Sequence, residues 1–221
     1  MTIKIIDWGL INYNEAWKRQ EELNVSLQND VIGQFAGYLI FCEHPHVFTL
    51  GKNANANNLL VNVSFLDKIG ASIVKTNRGG DITYHGQGQL VGYPVLNLNK
   101  LNLGIKKYVN LLEETIINVI AKYGITGERI DGATGVWIIS DNNQSKICAI
   151  GIRCSRSVTM HGFALNVNTN LKYFEYINPC GFKDKGVTSV EQQIGRQIPV
   201  DEIKKDIIDN FSKIFNVKII L

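Results

Sequence analysis

The sequence predicts an α+β fold: a mixed, largely antiparallel sheet flanked by helices. Three observations predict it. Strand-like stretches come in runs, the clearest amphipathic helices stand apart from them, and the regular strand–helix alternation of a doubly wound sheet is missing. No internal repeat, low-complexity segment or linker divides the chain, so residues 1–221 are expected to form one domain.

Taken in order, "TIKIIDW" reads as a first strand and "NYNEAWKRQEELNVSLQ" as a helix. "GYLIFCEHPHVFTLG" is rich in β-formers. "ASIVKTN" is a short strand entering a glycine-rich stretch, and "QLVGYPVLNL" leaves it as another. Pro94 there hints at an edge or a bulge. The plainest helix lies in "GIKKYVNLLEETIINVIAKYG", where Ile105, Tyr108, Val109, Leu112, Ile116, Val119, Ile120 and Tyr123 form one stripe. Gly124 stops it. "GVWIIS" and "KICAIGIR" flank the polar turn "DNNQ", and "VTMHGFALNVN" follows, which predicts a three-stranded antiparallel meander. "VDEIKKDIIDNFSKIF" repeats the helical pattern before a closing strand, "NVKII".

The chain of 221 residues carries a net charge of only +3, too weak a basic excess to argue for nucleic acid. No run of about 18 apolar residues predicts a membrane span, and "MTIKIIDWGL" lacks the marks of a signal peptide. A cytoplasmic protein with reduced thiols is expected. Cys42, His44 and His46 could share one strand face as metal ligands. No second ligand pair follows at structural spacing, so no metal and no cofactor are expected.

Cys180 sits in "INPCGF". Proline before it and glycine after it suit a thiol held on a tight loop, although a free cysteine is also commonly a small buried hydrophobe. A reactive thiol needs an electropositive neighbour, for which His85, His161, Lys146, Lys183 and Lys185 are candidates. Alternation along "KICAIGIR" places Lys146 on one face with Cys148, Ile150 and Ile152. If that face is apolar, the amine is partly desolvated, as an acid–base lysine needs; otherwise Lys146 ends a hairpin turn and points to water. In "RGGDITYHGQGQLVGYP", Gly79, Gly80, Gly86 and Gly88 either serve a turn-rich loop or leave room for an aliphatic chain to lie against the backbone. No phosphate-binding glycine motif is present.

Four motifs occur in order: "RGGDITYHGQGQLVGYPVLNL", "SKICAIGIR", "VTMHGFALNVN" and "INPCGF". Together they resemble the lipoyl(octanoyl) transferase family, over most of the chain from Glu43 to Val190. The resemblance implies a fold like that of lipoate–protein and biotin–protein ligases. It implies transfer of an octanoyl group from octanoyl-acyl carrier protein to a lysine of lipoyl domains, in 2-oxoacid dehydrogenase complexes and the glycine cleavage H protein. On the matching positions it implies Cys180 as the nucleophile that holds the acyl group, with Lys146 lowering its pKa. Arg78, Gly79, Gly80, Asp81, Ile82, Thr83, Tyr84 and His85 would line the acyl site, joined by Ala149-Ile150-Gly151 and Gly162-Phe163-Ala164. Gln87 departs from the family pattern, which has proline there as "HGPGQ".

On this reading Gly79, Gly80, Gly86 and Gly88 let the loop close over the eight-carbon chain, whose burial at about 0.8 kcal/mol per CH₂ contributes several kcal/mol. Three rival readings remain: an ATP-dependent lipoate ligase of the same fold, a cysteine hydrolase pairing Cys180 with His85 or His161, and a non-catalytic binding module. Lys106, Lys107, Lys183 and Lys185 are candidate contacts for an acidic carrier protein.

Overall fold

The computed structural model describes residues 1–30, 32–140, 143–178 and 186–220. In chain order these form β1 (Thr2–Leu10), α1 (Tyr13–Asn29), β2 (Phe35–Glu43), β3 (Val47–Leu50), α2 (Val63–Lys68), β4 (Ser72–Lys75), β5 (Ile82–His85) and β6 (Gln89–Leu96). There follow α3 (Ile105–Ala121), β7 (Val136–Ser140), β8 (Asn143–Ser155), β9 (Val158–Asn166), β10 (Gly186–Val187), α4 (Val190–Ile194), α5 (Val200–Phe215) and β11 (Lys218–Ile220). The large sheet runs β10-β8-β9-β6-β2-β1-β11, with β7 also on β8; a small sheet runs β4-β3-β5. Of the nine pairings between described strands five are antiparallel, and four are parallel: β1–β2, β1–β11, β8–β10 and β3–β4. The mixed sheet and its flanking helices are as the sequence predicts.

The helices stand where their apolar faces find the sheet. Asn12 caps α1, its side chain accepting from Asn14 N–H, and Tyr13, Ala16, Gln20, Asn24 and Leu27 turn inward at spacings of three and four. The α3 stripe and Ile203, Ile207 and Phe211 of α5 share one core with β2, β6, β8 and β9. Each such side chain contributes about 2 kcal/mol on burial. Ile105, the first stripe residue, is half exposed and lies at the pocket described below. Gly124 adopts φ +76°, the left-handed turn that ends α3.

Three expectations are revised. The β-rich run near 38–51 is two strands in two sheets, since β2 ends at Glu43 and β3 begins at Val47. Cys42, His44 and His46 therefore do not share a strand face. His44 bonds the Ile11 carbonyl and Tyr93 Oη, each at 2.7 Å, whereas His46 bonds Tyr84 Oη in the small sheet. Among the described residues no His, Cys, Asp and Glu group is placed to hold a metal.

Pro94 is the second revision: β6 is an interior strand, between β2 and β9. The β6–β9 ladder stops at Gly92↔Phe163 and resumes only as an Asn97↔Val158 bridge. In the gap Thr159 Oγ1 donates to the Pro94 carbonyl at 2.7 Å and accepts Leu96 N–H at 3.0 Å, supplying what the proline ladder lacks.

The third concerns β8. Val136 pairs with Cys148 but Trp137 pairs with Lys146, so Ile147 is an extra residue, a β-bulge. It puts Lys146 out of phase with Cys148. Ile147 and Cys148 both enter the core, while Lys146 lines the pocket with Ala149 and Gly151.

Candidate active site

A pocket of about 570 Å³ opens between the two sheets. One wall is the loop entering β5, the second is the middle of β8 and β9, and the third is the turn 132–134 with Trp137 and Lys146. Small residues let the first two walls meet. The Gly79 amide donates to the Ile152 carbonyl at 2.9 Å, and a Cβ on Gly151 would stand 2.9 Å from the Gly79 carbonyl oxygen. Gly80, at φ +88°, turns the loop. A Cβ on Gly51 would lie 2.3 Å from the Gly80 carbonyl oxygen, so a glycine outside the motif shapes the same corner.

Arg78 pins this loop rather than reaching into solvent. It is 7% exposed, and its guanidinium donates to Thr49 Oγ1, to the Thr49 carbonyl at 2.6 Å and to the Gly79 carbonyl at 3.0 Å. Asp81 works similarly, accepting from the amides of Asn55 and Ile82 and from Asn58 Nδ2.

Lys146 is half-buried. Its ammonium donates to the Thr134 carbonyl at 3.1 Å and lies 4.6 Å from the centre of the Trp137 ring, a cation–π distance. Trp137 is buried, and its indole N–H is fixed on the Ala133 carbonyl at 2.7 Å. The strand after the Cys180 segment docks here too, because Val187 of β10 pairs with Lys146.

The histidines are held neutral. Burial pushes His161 down to about 3, helped by Arg78 and Arg153, and pushes His85 well below the ordinary imidazole value, helped by His44 and Arg78. His85 is bonded on both sides, Nδ1 to Gln89 Oε1 at 2.7 Å and Nε2 to Thr49 Oγ1 at 3.3 Å. Burial raises the thiols of the three described cysteines, Cys42, Cys148 and Cys154, which disfavours their thiolates.

Of the residues expected at the site, Lys146, Arg78 to Thr83, His85 and both triplets 149–151 and 162–164 line the pocket. Tyr84 does not. It is fully buried in the small-sheet core, bonded to His46 and stacked on Tyr173 at 4.8 Å. Gly86 and Gly88 also serve packing instead of a ligand, since added Cβ atoms would meet Tyr84 Oη at 2.0 Å and the Asn168 carbonyl oxygen at 2.4 Å. Cys180, Lys183 and Lys185 lie outside the described residues; Lys106 and Lys107 are exposed on α3. Not anticipated were Tyr13, which stacks on His85, and the Gly132–Thr134 turn with Trp137. The only sequence signal for that turn is the glycine pair in "DGATGVW".

A two-sheet α+β fold with a lysine lining a largely apolar pocket defines the class, and comparison gives the family. The chain belongs to the lipoyl protein ligase A/B catalytic domain family, whose profile matches residues 12–212. It is 54% identical over 204 residues to an octanoyltransferase of Bacteroides fragilis (strain YCH46), covering 90% of this chain and 91% of that one. A crystal structure of lipoate-protein ligase A bound with ATP superposes with a TM-score of 0.78 at 16% identity, over 100% of this chain and 90% of that one. Biotin protein ligase of Aquifex aeolicus gives a TM-score of 0.51 at 11% identity, over 97% and 69%. Both structures share the fold. No described helix is long and apolar enough to cross a membrane.

Proposed function

We propose that this chain is an octanoyltransferase that moves an octanoyl group from octanoyl-acyl carrier protein to the ε-amine of a lysine in lipoyl domains, through a thioester on Cys180. The observation that carries this reading is the pocket's position. Lys146 lines the pocket, together with residues on both sides of the Cys180 segment, Phe174 before it and Gly186 and Val187 after it. Gly186 follows Cys180 by six positions, a tether of at most about 22 Å. The other three cysteines are held protonated by burial, which leaves Cys180 as the nucleophile.

The resting pair is a Cys180 thiolate and a Lys146 ammonium. The thiolate attacks the carrier-bound thioester; the C–S bond to the carrier breaks, and Lys146 gives its proton to the departing pantetheine thiol. Neutral Lys146 then takes a proton from the substrate amine as that nitrogen bonds the acyl carbon. The Cys180–acyl bond breaks, restoring thiolate and ammonium. Val91, Ile150, Ile152 and Phe163 on the pocket wall keep water from the thioester.

The ligase reading shares the fold, and nucleotide dependence separates the two. A Cys–His hydrolase would need an imidazolium, which the burial of His85 and His161 opposes. The test is intact-mass spectrometry after mixing with octanoyl-acyl carrier protein in the absence of nucleotide. A mass increase of one octanoyl group that disappears in Cys180→Ser is expected; no adduct on the wild type would overturn the proposal.

A further inference from the structure

The Thr134–Gly135 peptide group stands between two charges. Its carbonyl accepts from the Lys146 ammonium at 3.1 Å, and its N–H donates to Glu113 Oε1 at 3.0 Å. The C=O and N–H of a trans peptide point in opposite directions, so one rigid plane joins the two side chains. We propose that Glu113 is a positioning residue for the acyl-transfer lysine, acting through this peptide to aim its carbonyl and to favour the charged ammonium. The inference rests on the acid–base role given to Lys146 above.

Glu113 suits the part. It is only 6% exposed on α3, and a buried carboxylate needs partners. Its second oxygen accepts Arg129 Nε at 3.1 Å; Arg129 also bonds Glu114 and the Asn110 carbonyl. A carboxylate accepting the peptide N–H polarises the group and enriches its carbonyl oxygen in electron density, which strengthens the bond from an ammonium. The peptide has little room to turn. Gly135 adopts φ +126°, and a Cβ there would lie 2.5 Å from the Cys148 carbonyl oxygen and 3.4 Å from Lys146 Cε. Trp137 closes the other side of the ammonium. Among the described residues, the titratable and charged groups around Lys146 are Glu113 and Arg129 behind the peptide and the Cys148 thiol on β8. From β10 the neighbours are Gly186 and Val187, which do not titrate.

The test is the pH profile of octanoyl transfer in Glu113→Gln and Glu113→Asp. Glutamine keeps an acceptor for Gly135 but removes the charge, so the alkaline limb should move down by about half a pH unit or more. Aspartate keeps the charge and should return the limb toward the wild type even if the rate stays low. A lower rate with an unmoved limb in Glu113→Gln marks a purely structural role and overturns the proposal. If the variants do not fold, NMR of the wild type decides: the Gly135 amide and Lys146 Nζ should titrate together, and an indifferent Gly135 refutes the relay. Activity retained in Lys146→Ala would instead refute the acid–base role itself.

Discussion

Val187 is the ladder partner of Lys146, and the amide of the next residue, Thr188, donates to the Lys146 carbonyl at 3.0 Å. The chain leaving the Cys180 segment is therefore fastened to the same two peptide groups that carry the lysine. Backbone pairing of this kind is rigid, so the lysine and the outgoing end of the segment hold a fixed relation without any side-chain contact. The opposite end is fastened as well, by a Leu59↔Ile177 bridge and by Asn178 N–H on the Asn58 carbonyl at 2.8 Å.

Removing the amine should leave this frame intact and halt the chemistry. Lys146→Ala is expected to melt near the wild type while Cys180 acylation slows by about 10²–10⁴-fold, the usual weight of a general acid–base group. Stopped-flow or quenched acylation measures it, and a wild-type rate would remove Lys146 from the mechanism.

Acyl binding should depend on the bare backbone of the β5 entry loop. A Cβ on Gly79 already lies 3.3 Å from the Ile152 carbonyl oxygen, and at Gly80 the positive φ adds strain to any side chain. Gly79→Val or Gly80→Val should weaken octanoyl loading, read as a raised KM in the acylation half-reaction. Unchanged loading kinetics would show that the loop does not contact the chain.

Acid should destabilise the fold in a window set by histidines. In the folded protein burial lowers His44 to about 4, His161 to about 3 and His85 well below 6.5. The unfolded chain binds protons at about 6.5, so below that pH it holds more protons than the native state. Stability is thus full above about pH 6.5 and falls toward the folded values, by about 1.4 kcal/mol per histidine per pH unit. The lowered carboxyls of Asp201 and Asp206 act only below about 4, leaving pH 6.5–5 to the histidines. Urea unfolding across that window should show the fall, and a flat profile would contradict it.

Thr159→Val should cost stability alone. It strands the Leu96 N–H inside the sheet and leaves the Pro94 carbonyl only the longer bond from Tyr108 Oη at 3.4 Å, a loss of about 1–3 kcal/mol. Denaturation midpoints should drop while octanoyl transfer per folded molecule stays unchanged.

Local pattern made part of this structure readable. The α3 stripe, the β7–β8–β9 meander and the stop at Gly124 follow from periodicity and turn chemistry within a few neighbouring residues. What escaped was set by partners distant in sequence. Pro94 sits inside a sheet because Thr159, 65 residues later, supplies the bonds. Gly86 and Gly88 are small for Tyr84 and Asn168 rather than for an acyl chain, which only the packed walls reveal. Glu113 looks like one more helix carboxylate until the 132–135 turn folds against it.

The extra residue at Ile147 has a consequence for how the lysine can be lost or kept. The way β8 pairs with β7, more than the identity of the bulged residue, sets where the amine aims. Straightening the bulge with the isoleucine retained would pair Ile147 with Trp137 and turn Lys146 onto the Cys148 face of the strand, whereas excising the isoleucine would keep the Trp137↔Lys146 pairing. Changes to β7 or β8 that add a residue opposite the bulge and so erase it are the ones expected to misdirect the amine.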